Sequence, residues 1–138
     1  MKTTCEIRVR FNEVDSLGIV WHGHYLKYFE DGREAFGRQF GLSYLDVKQQ
    51  GYSIPIVKSS LEHKLPLKYG DLLTVETSFK NTRASKLVFC YRLLNAQGQE
   101  VCVGETTQVF IDLASHQMAL SPPKFLEDWK QQYGILDA

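Results

Sequence analysis

Asp15-Ser16-Leu17-Gly18-Ile19-Val20-Trp21-His22-Gly23-His24-Tyr25 is the stretch whose reading decides the fold. One carboxylate sits in a short polar turn, Gly18 frees the backbone, and the chain then enters a long helix. From Tyr25 onward Phe29, Gly32, Phe36 and Phe40 recur at steps of four, three, four and four, one stripe of a helical period. Glycine inside a helix costs about 1 kcal/mol relative to alanine, so Gly32 on the buried stripe implies a close neighbour. The helix is expected to end near Gly41. A carboxylate ahead of a buried helix faces free N–H groups, which can hold a developing negative charge. That pairing is the layout of a hydrolytic site.

Working outward, Cys5, Ile7, Val9 and Phe11 alternate with Glu6, Arg8 and Arg10 as a strand with one buried face. Residues 42–52 form a connector with room for a short helix. Ile54, Ile56 and Val57 open a second strand that continues through Leu61, His63 and Leu65, with Pro55 marking an edge or bulge. Leu73, Val75, Thr77 and Phe79 make a third, and Leu87, Phe89, Tyr91 and Leu93 a fourth. The fourth also carries Val88, Cys90 and Leu94 on its other face, so it is expected to be covered on both. After a hairpin turn at Asn95-Ala96-Gln97-Gly98, a fifth strand runs from Val101 to Leu113, bending at Gly104. Ser121 reads as the N-cap and Pro122 as the first residue of a terminal helix striped by Phe125, Leu126, Trp129 and Tyr133. The order β-α-β-β-β-β-α is α+β, one long helix against a curved antiparallel sheet. One helix covers one sheet face, so the two-sided fourth strand implies a homo-oligomer, a dimer or a dimer of dimers.

At 138 residues and 15.9 kDa the chain reads as one domain spanning 1–138. Lys+Arg and Asp+Glu are both 16, which excludes the basic excess of a nucleic-acid binder and leaves room for a small anion held locally. The three cysteines, Cys5, Cys90 and Cys102, show no C-x-x-C spacing and fall on apolar strands. They are expected to be buried, reduced thiols of a cytoplasmic protein. No apolar run approaches membrane-spanning length and no apolar signal core follows Met1, so no membrane partner is expected.

Several motifs recur together. Asp15 through His22 spells Asp, two variable small residues, Gly, two apolar residues, an aromatic, then His. Tyr25 and Phe29 follow in the helix, Tyr69-Gly70-Asp71-Leu72 precedes a strand, and Gly104-Glu105-Thr106 leads to Phe110-Ile111-Asp112. In these motifs nearly the whole chain resembles the hot-dog fold, in particular the 4-hydroxybenzoyl-CoA thioesterase family and its bacterial acyl-CoA thioesterase branch. The resemblance implies an acyl-CoA thioesterase with its catalytic carboxylate at Asp15 and its thioester-polarising N–H at His22. It implies no metal or redox cofactor, coenzyme A being part of the substrate. Where the family often carries Asn two residues past the His position, this chain has His24.

Two roles for Asp15 stay open: attack on the thioester carbonyl, or activation of a water as general base. An Asp before a helix also commonly caps its own turn. Glu13, two residues away, reads as a solvated turn residue. No Cys or Ser lies in a nucleophile elbow, and His22, His24, His63 and His116 lack metal-ligand spacing. Trp21, Gly23, His24 and Tyr25 are candidate substrate-binding residues, with Tyr28 a further aromatic at hand. Lys27, Glu30, Asp31, Arg33 and Glu34 read as an exposed face with ordinary i,i+3 and i,i+4 pairs. Lys80, Arg83 and Lys86 are the candidate coenzyme A cluster, since a pyrophosphate and a 3′-phosphate call for cations. The resemblance puts coenzyme A along a sheet edge near a subunit interface. Two alternatives keep the fold: an acyl-acyl carrier protein thioesterase, and a non-catalytic acyl-CoA-binding protein.

Overall fold

The computed structural model describes residues 1–136; Asp137 and Ala138, the end of the expected 1–138 domain, lie outside the described residues. Along the chain come β1 (Lys2–Arg8), α1 (Tyr25–Phe40), α2 (Tyr44–Gln49), β2 (Tyr52–Ser53), β3 (Ile56–His63), β4 (Leu72–Lys80), β5 (Lys86–Leu94), β6 (Glu100–Val109), β7 (Ile111–Asp112) and α3 (Lys124–Gln132). The period-two alternation read from the sequence becomes one five-stranded antiparallel sheet in the order β1-β4-β5-β6-β3. α1 lies over β1, β4 and β5, and the sheet ends in two edge strands, β1 beneath the helix and β3 clear of it.

The helical stripe is buried at Tyr25, Phe29, Gly32 and Phe36, and half-buried at Phe40. Tyr28 and Gly37 are buried with it. Gly32 has the close neighbour expected of it: a Cβ there would meet Thr77 Oγ1 and come within 2.7 Å of Val75. Gly41 ends α1 in the left-handed region, with φ of 70°, as helix-terminating glycines do. The connector holds its short helix, capped by Ser43, whose hydroxyl accepts from Asp46 N–H at 3.2 Å. This is the hot-dog architecture, a long helix wrapped by a curved antiparallel sheet.

Several local expectations are corrected. Gly104 makes no bend; it stays in register between Leu61 and Tyr91. The Phe29 ring, stacked on Tyr91 at 4.3 Å, occupies the space a Cβ would need, 2.5 Å away, and Ser60 O would also lie within 2.7 Å. The predicted fifth strand splits: β6 ends at Val109, fully buried Phe110 turns into the core, and β7 leaves to pair with β2. β1 stops at Arg8, so Phe11 is 77% exposed, its ring set edge-to-face with Tyr69 at 5.8 Å. The terminal helix starts at Lys124 with Pro123 as an extended N-cap. A residue before proline is pushed out of the helical region, so Pro122 could not open the helix.

Of the cysteines only Cys102 is buried; Cys5 and Cys90 are half-buried, and all three are free thiols. The outer face of β5 is apolar only in part. Val88 is buried and Leu94 half-buried, but Arg92 is exposed and pairs with Glu76 at 3.2 Å and Glu100 at 2.7 Å. That sheet face is laced by ion pairs. Among the described residues, no helix is long and apolar enough to cross a membrane.

Candidate active site

Residues 13–21 fold as a miniature hairpin. Trp21 N–H donates to Glu13 O at 3.0 Å, Asp15 N–H donates to Ile19 O at 2.8 Å, and Val14 bridges Val20. At its tip, Gly18 N–H donates to Asp15 O at 2.9 Å, with Gly18 at φ of 80°, a conformation glycine adopts without strain. Leu17 N–H donates to Asp15 Oδ1 at 2.8 Å, so the half-buried carboxylate does brace its own turn. Its Oδ2 accepts no hydrogen bond among the described residues. The hairpin is fastened to the chain beyond β3 by Val20 N–H donating to Leu67 O at 2.8 Å and by a bridge between Ile19 and Lys68.

The helix entrance comes next. A 3-10 turn, His22–His24, leads into α1; His24 N–H donates to Trp21 O and Tyr25 N–H to His22 O. The N–H groups of His22 and Gly23 have no main-chain acceptor among the described residues. Two donors are thus free at the mouth of the helix, where its dipole is positive.

Trp21 folds over this turn. Its indole lies 5.0 Å from the His22 ring and 5.5 Å from the His24 ring, and a Cβ on Gly23 would collide with it. Trp21, His22, Gly23 and His24 form one accessible patch, whereas Tyr25 is buried beneath, edge-on to Tyr28 and to His63 at 4.6 Å. Burial, with the Cys102 thiol close by, pushes the Tyr25 phenol up to about 12 against a hydrogen bond from Leu67. Tyr25 therefore stays neutral as part of the wall. Burial likewise lifts the Cys102 thiol to about 11, which keeps it protonated.

Glu13 is not the solvated residue expected; it is 1% exposed. Its Oε1 accepts from Arg10 N–H at 2.8 Å and from the Tyr28 hydroxyl at 3.1 Å. Its Oε2 accepts from Lys27 at 3.3 Å and from the Arg10 guanidinium at 3.4 Å. Burial alone would raise its pKa, but the Arg10, Tyr28 and Lys27 donors outweigh it and hold the carboxyl below its ordinary value. Lys27 accordingly leaves the set of exposed i,i+4 pairs. Arg33 leaves it too, donating to the Tyr91 hydroxyl at 3.0 Å, while Glu34 keeps its helical partner Arg38 at 3.7 Å.

The cations lie elsewhere. Lys80 and Lys86, with Lys58, line a cleft of about 390 Å³ on the sheet face away from α1, together with Thr82, Val88 and Thr107. Lys80 is partly neutralised by Glu105 at 3.5 Å, and Arg83 does not line the cleft. Lys58 was not singled out in the sequence. These lysines stand near the Ile56 end of β3, whereas the Asp15 hairpin is bonded beyond its His63 end. At about 3.3 Å per residue the two ends of such a strand are roughly 23 Å apart. One chain does not bring the two predicted groups together. A larger cleft, about 570 Å³, runs between α1, α2 and β5 past Arg33, Leu45 and Phe89, and includes neither Asp15 nor His22.

Residues 9–129 match the thioesterase-like superfamily. A putative acyl-CoA thioesterase from Bacillus subtilis, YneP, is 31% identical over 128 residues, covering 93% of this chain and 92% of the relative. The acyl-CoA thioester hydrolase YbgC of Escherichia coli is 24% identical over 125 residues, 91% of this chain and 93% of its own. Among solved structures, a DHNA-CoA thioesterase from Staphylococcus aureus superposes with a TM-score of 0.85 at 26% identity, covering 96% of this chain and 89% of that one.

Proposed function

The chain belongs to the thioesterase-like superfamily and is a thioester hydrolase; on that footing we propose that it hydrolyses an acyl-CoA carrying a small aromatic or short aliphatic acyl group, with Asp15 as nucleophile or general base. The observation that carries the reading is the bonded unit of residues 13–25. Hairpin rungs join the Asp15 turn to the strand that runs straight into the 3-10 turn, so an open carboxylate oxygen and the free N–H groups of His22 and Gly23 belong to one short structure.

The chemistry follows from those two features. The His22 N–H, with Gly23 beside it, donates to the thioester carbonyl oxygen as it gains negative charge; losing one such donor typically costs ~2.7–4 kcal/mol. Asp15 either attacks the carbonyl carbon and expels the coenzyme A thiolate, leaving a mixed anhydride for water to cleave, or takes a proton from the attacking water. Trp21, Gly23, His24 and Tyr25 would flank the acyl group, and Lys58, Lys80 and Lys86 would hold the phosphates.

The reading includes a homo-oligomer. Its support is the separation of the two groups within one chain, together with the free edge of β3, where Ile56 and Val57 are exposed. Antiparallel pairing of two such edges about a two-fold axis sets the Lys58 end of one copy beside the His63 end of the other. Thiol release by wild type and Asp15→Asn across aromatic and aliphatic acyl-CoAs is the test. A fall of ~10² or more is expected in the variant, and near-wild-type rates would overturn the assignment. Competition by free coenzyme A separates this substrate class from acyl carrier protein thioesters.

A further inference from the structure

Glu13 joins two parts of the site that the sequence separates. Its side chain is wholly enclosed and takes four hydrogen bonds, from Arg10 N–H, the Arg10 guanidinium, Lys27 and the Tyr28 hydroxyl. Lys27 and Tyr28 belong to the first turn of α1. Its carbonyl oxygen accepts the Trp21 N–H that closes the base of the Asp15 hairpin. The same residue therefore grips the helix with its carboxylate and the hairpin with its backbone. Asp15 stands one rung further out. A buried carboxylate persists only where it is paired and hydrogen-bonded, and such bonds are directional in a way that apolar packing is not.

We propose that Glu13 is a positioning residue for thioester hydrolysis: it fixes the Asp15 hairpin against the first turn of α1, so that the Asp15 carboxylate and the His22 and Gly23 N–H groups keep one relative geometry. The inference rests on the reading of Asp15 given above and needs no contact between Glu13 and substrate. A displacement of ~1 Å between reacting groups can cost ~10² in rate, so a residue that sets their spacing acts on turnover rather than on affinity.

The test is a mutant cycle on the full chain. Glu13→Gln keeps the shape and one acceptor but turns an amide NH2 towards Lys27 and Arg10. Tyr28→Phe deletes one donor with little change of volume, and carries the same cycle should Glu13→Gln fail to fold. Each is made in the wild-type and the Asp15→Asn backgrounds, with thiol release and thermal unfolding measured together. Glu13→Gln is expected to lower kcat by ~10-fold or more and Tyr28→Phe by less, with KM within about twofold of wild type. Neither should lower the residual rate of Asp15→Asn further, because nothing is left to position. Equal losses in both backgrounds, or a loss of thermal stability with kcat unchanged, would overturn the proposal. A wild-type rate for Asp15→Asn alone is a different result: it removes the reading of Asp15, and this inference with it.

Discussion

Lys58 and Lys80 stand in one row across four strands: Lys58 faces Thr107, Thr107 faces Val88, and Val88 faces Lys80. The row lies on the sheet face that α1 leaves open, and Lys86 joins it from the start of β5. Such a row gathers charge that is 22 residues apart in sequence.

If these lysines carry the coenzyme A phosphates, replacing Lys58 and Lys86 by alanine should raise KM for acyl-CoA by ~10-fold at low salt, given ~1.5–3 kcal/mol for hydrogen bonds to charged groups before solvent screening. The KM for the matching acyl-pantetheine, which lacks those phosphates, should not move, and kcat should hold for both. Equal effects on the two substrates would leave the lysines as solubilising charge.

How much of this was legible in the sequence depends on the range of the interaction. The stripe from Tyr25 to Phe36, the cap at Gly41 and the turn at Gly18 are local, and local periods and glycine positions revealed them. Gly32 was read correctly because its cost in a helix demands a neighbour, whereas Gly104, in a strand, took the generic reading of a bend. What filled its space was Phe29, 75 positions away. Glu13 was misread for a similar reason. A Glu in a polar turn looks solvated until Lys27 and Tyr28, 14 and 15 residues on, are folded against it. Lys58 entered its cluster only through the register of β3 on β6, which alternation alone leaves undefined.

Glu13 also predicts a pH dependence. Its folded pKa is depressed, so its contribution to stability is fully present above the unfolded value of about 4.3 and is lost as pH falls through the lower folded value. Thermal unfolding of wild type and Glu13→Gln from about pH 7 to about pH 3 should show a gap in Tm that is widest near neutrality and narrows below about pH 4. A gap constant across that range would assign the loss to shape rather than charge.

Gly32→Ala sets two effects of opposite sign against each other. Alanine gains about 1 kcal/mol in helix propensity, but its Cβ meets Thr77 and Val75 across the helix–sheet contact, and overpacking costs about 1–3 kcal/mol. Both neighbours sit on a central strand that cannot easily withdraw, so the net change should be destabilising. Urea unfolding measures it: a lower midpoint with unchanged slope is expected, and a raised midpoint would show that the sheet yields.

The free edge of β3 gives the remaining prediction. Ile56 is 45% and Val57 58% exposed on a strand with hydrogen-bonding groups unpaired along one side, an arrangement that soluble proteins normally cover or charge. If two copies cover it for each other, sedimentation at micromolar concentration should give a dimer or larger assembly. The pair Ile56→Lys and Val57→Lys puts two charges on an apolar stretch that the seam would bury, so it should shift the protein to monomer. Activity should fall with assembly, because the Asp15 hairpin of one copy and the lysine row near Ile56 of the other would no longer share a substrate. The loss should be steep for acyl-CoA and shallow for acyl-pantetheine, which needs only the hairpin end. A monomeric variant that keeps wild-type KM for acyl-CoA would place both halves of the substrate on a single chain.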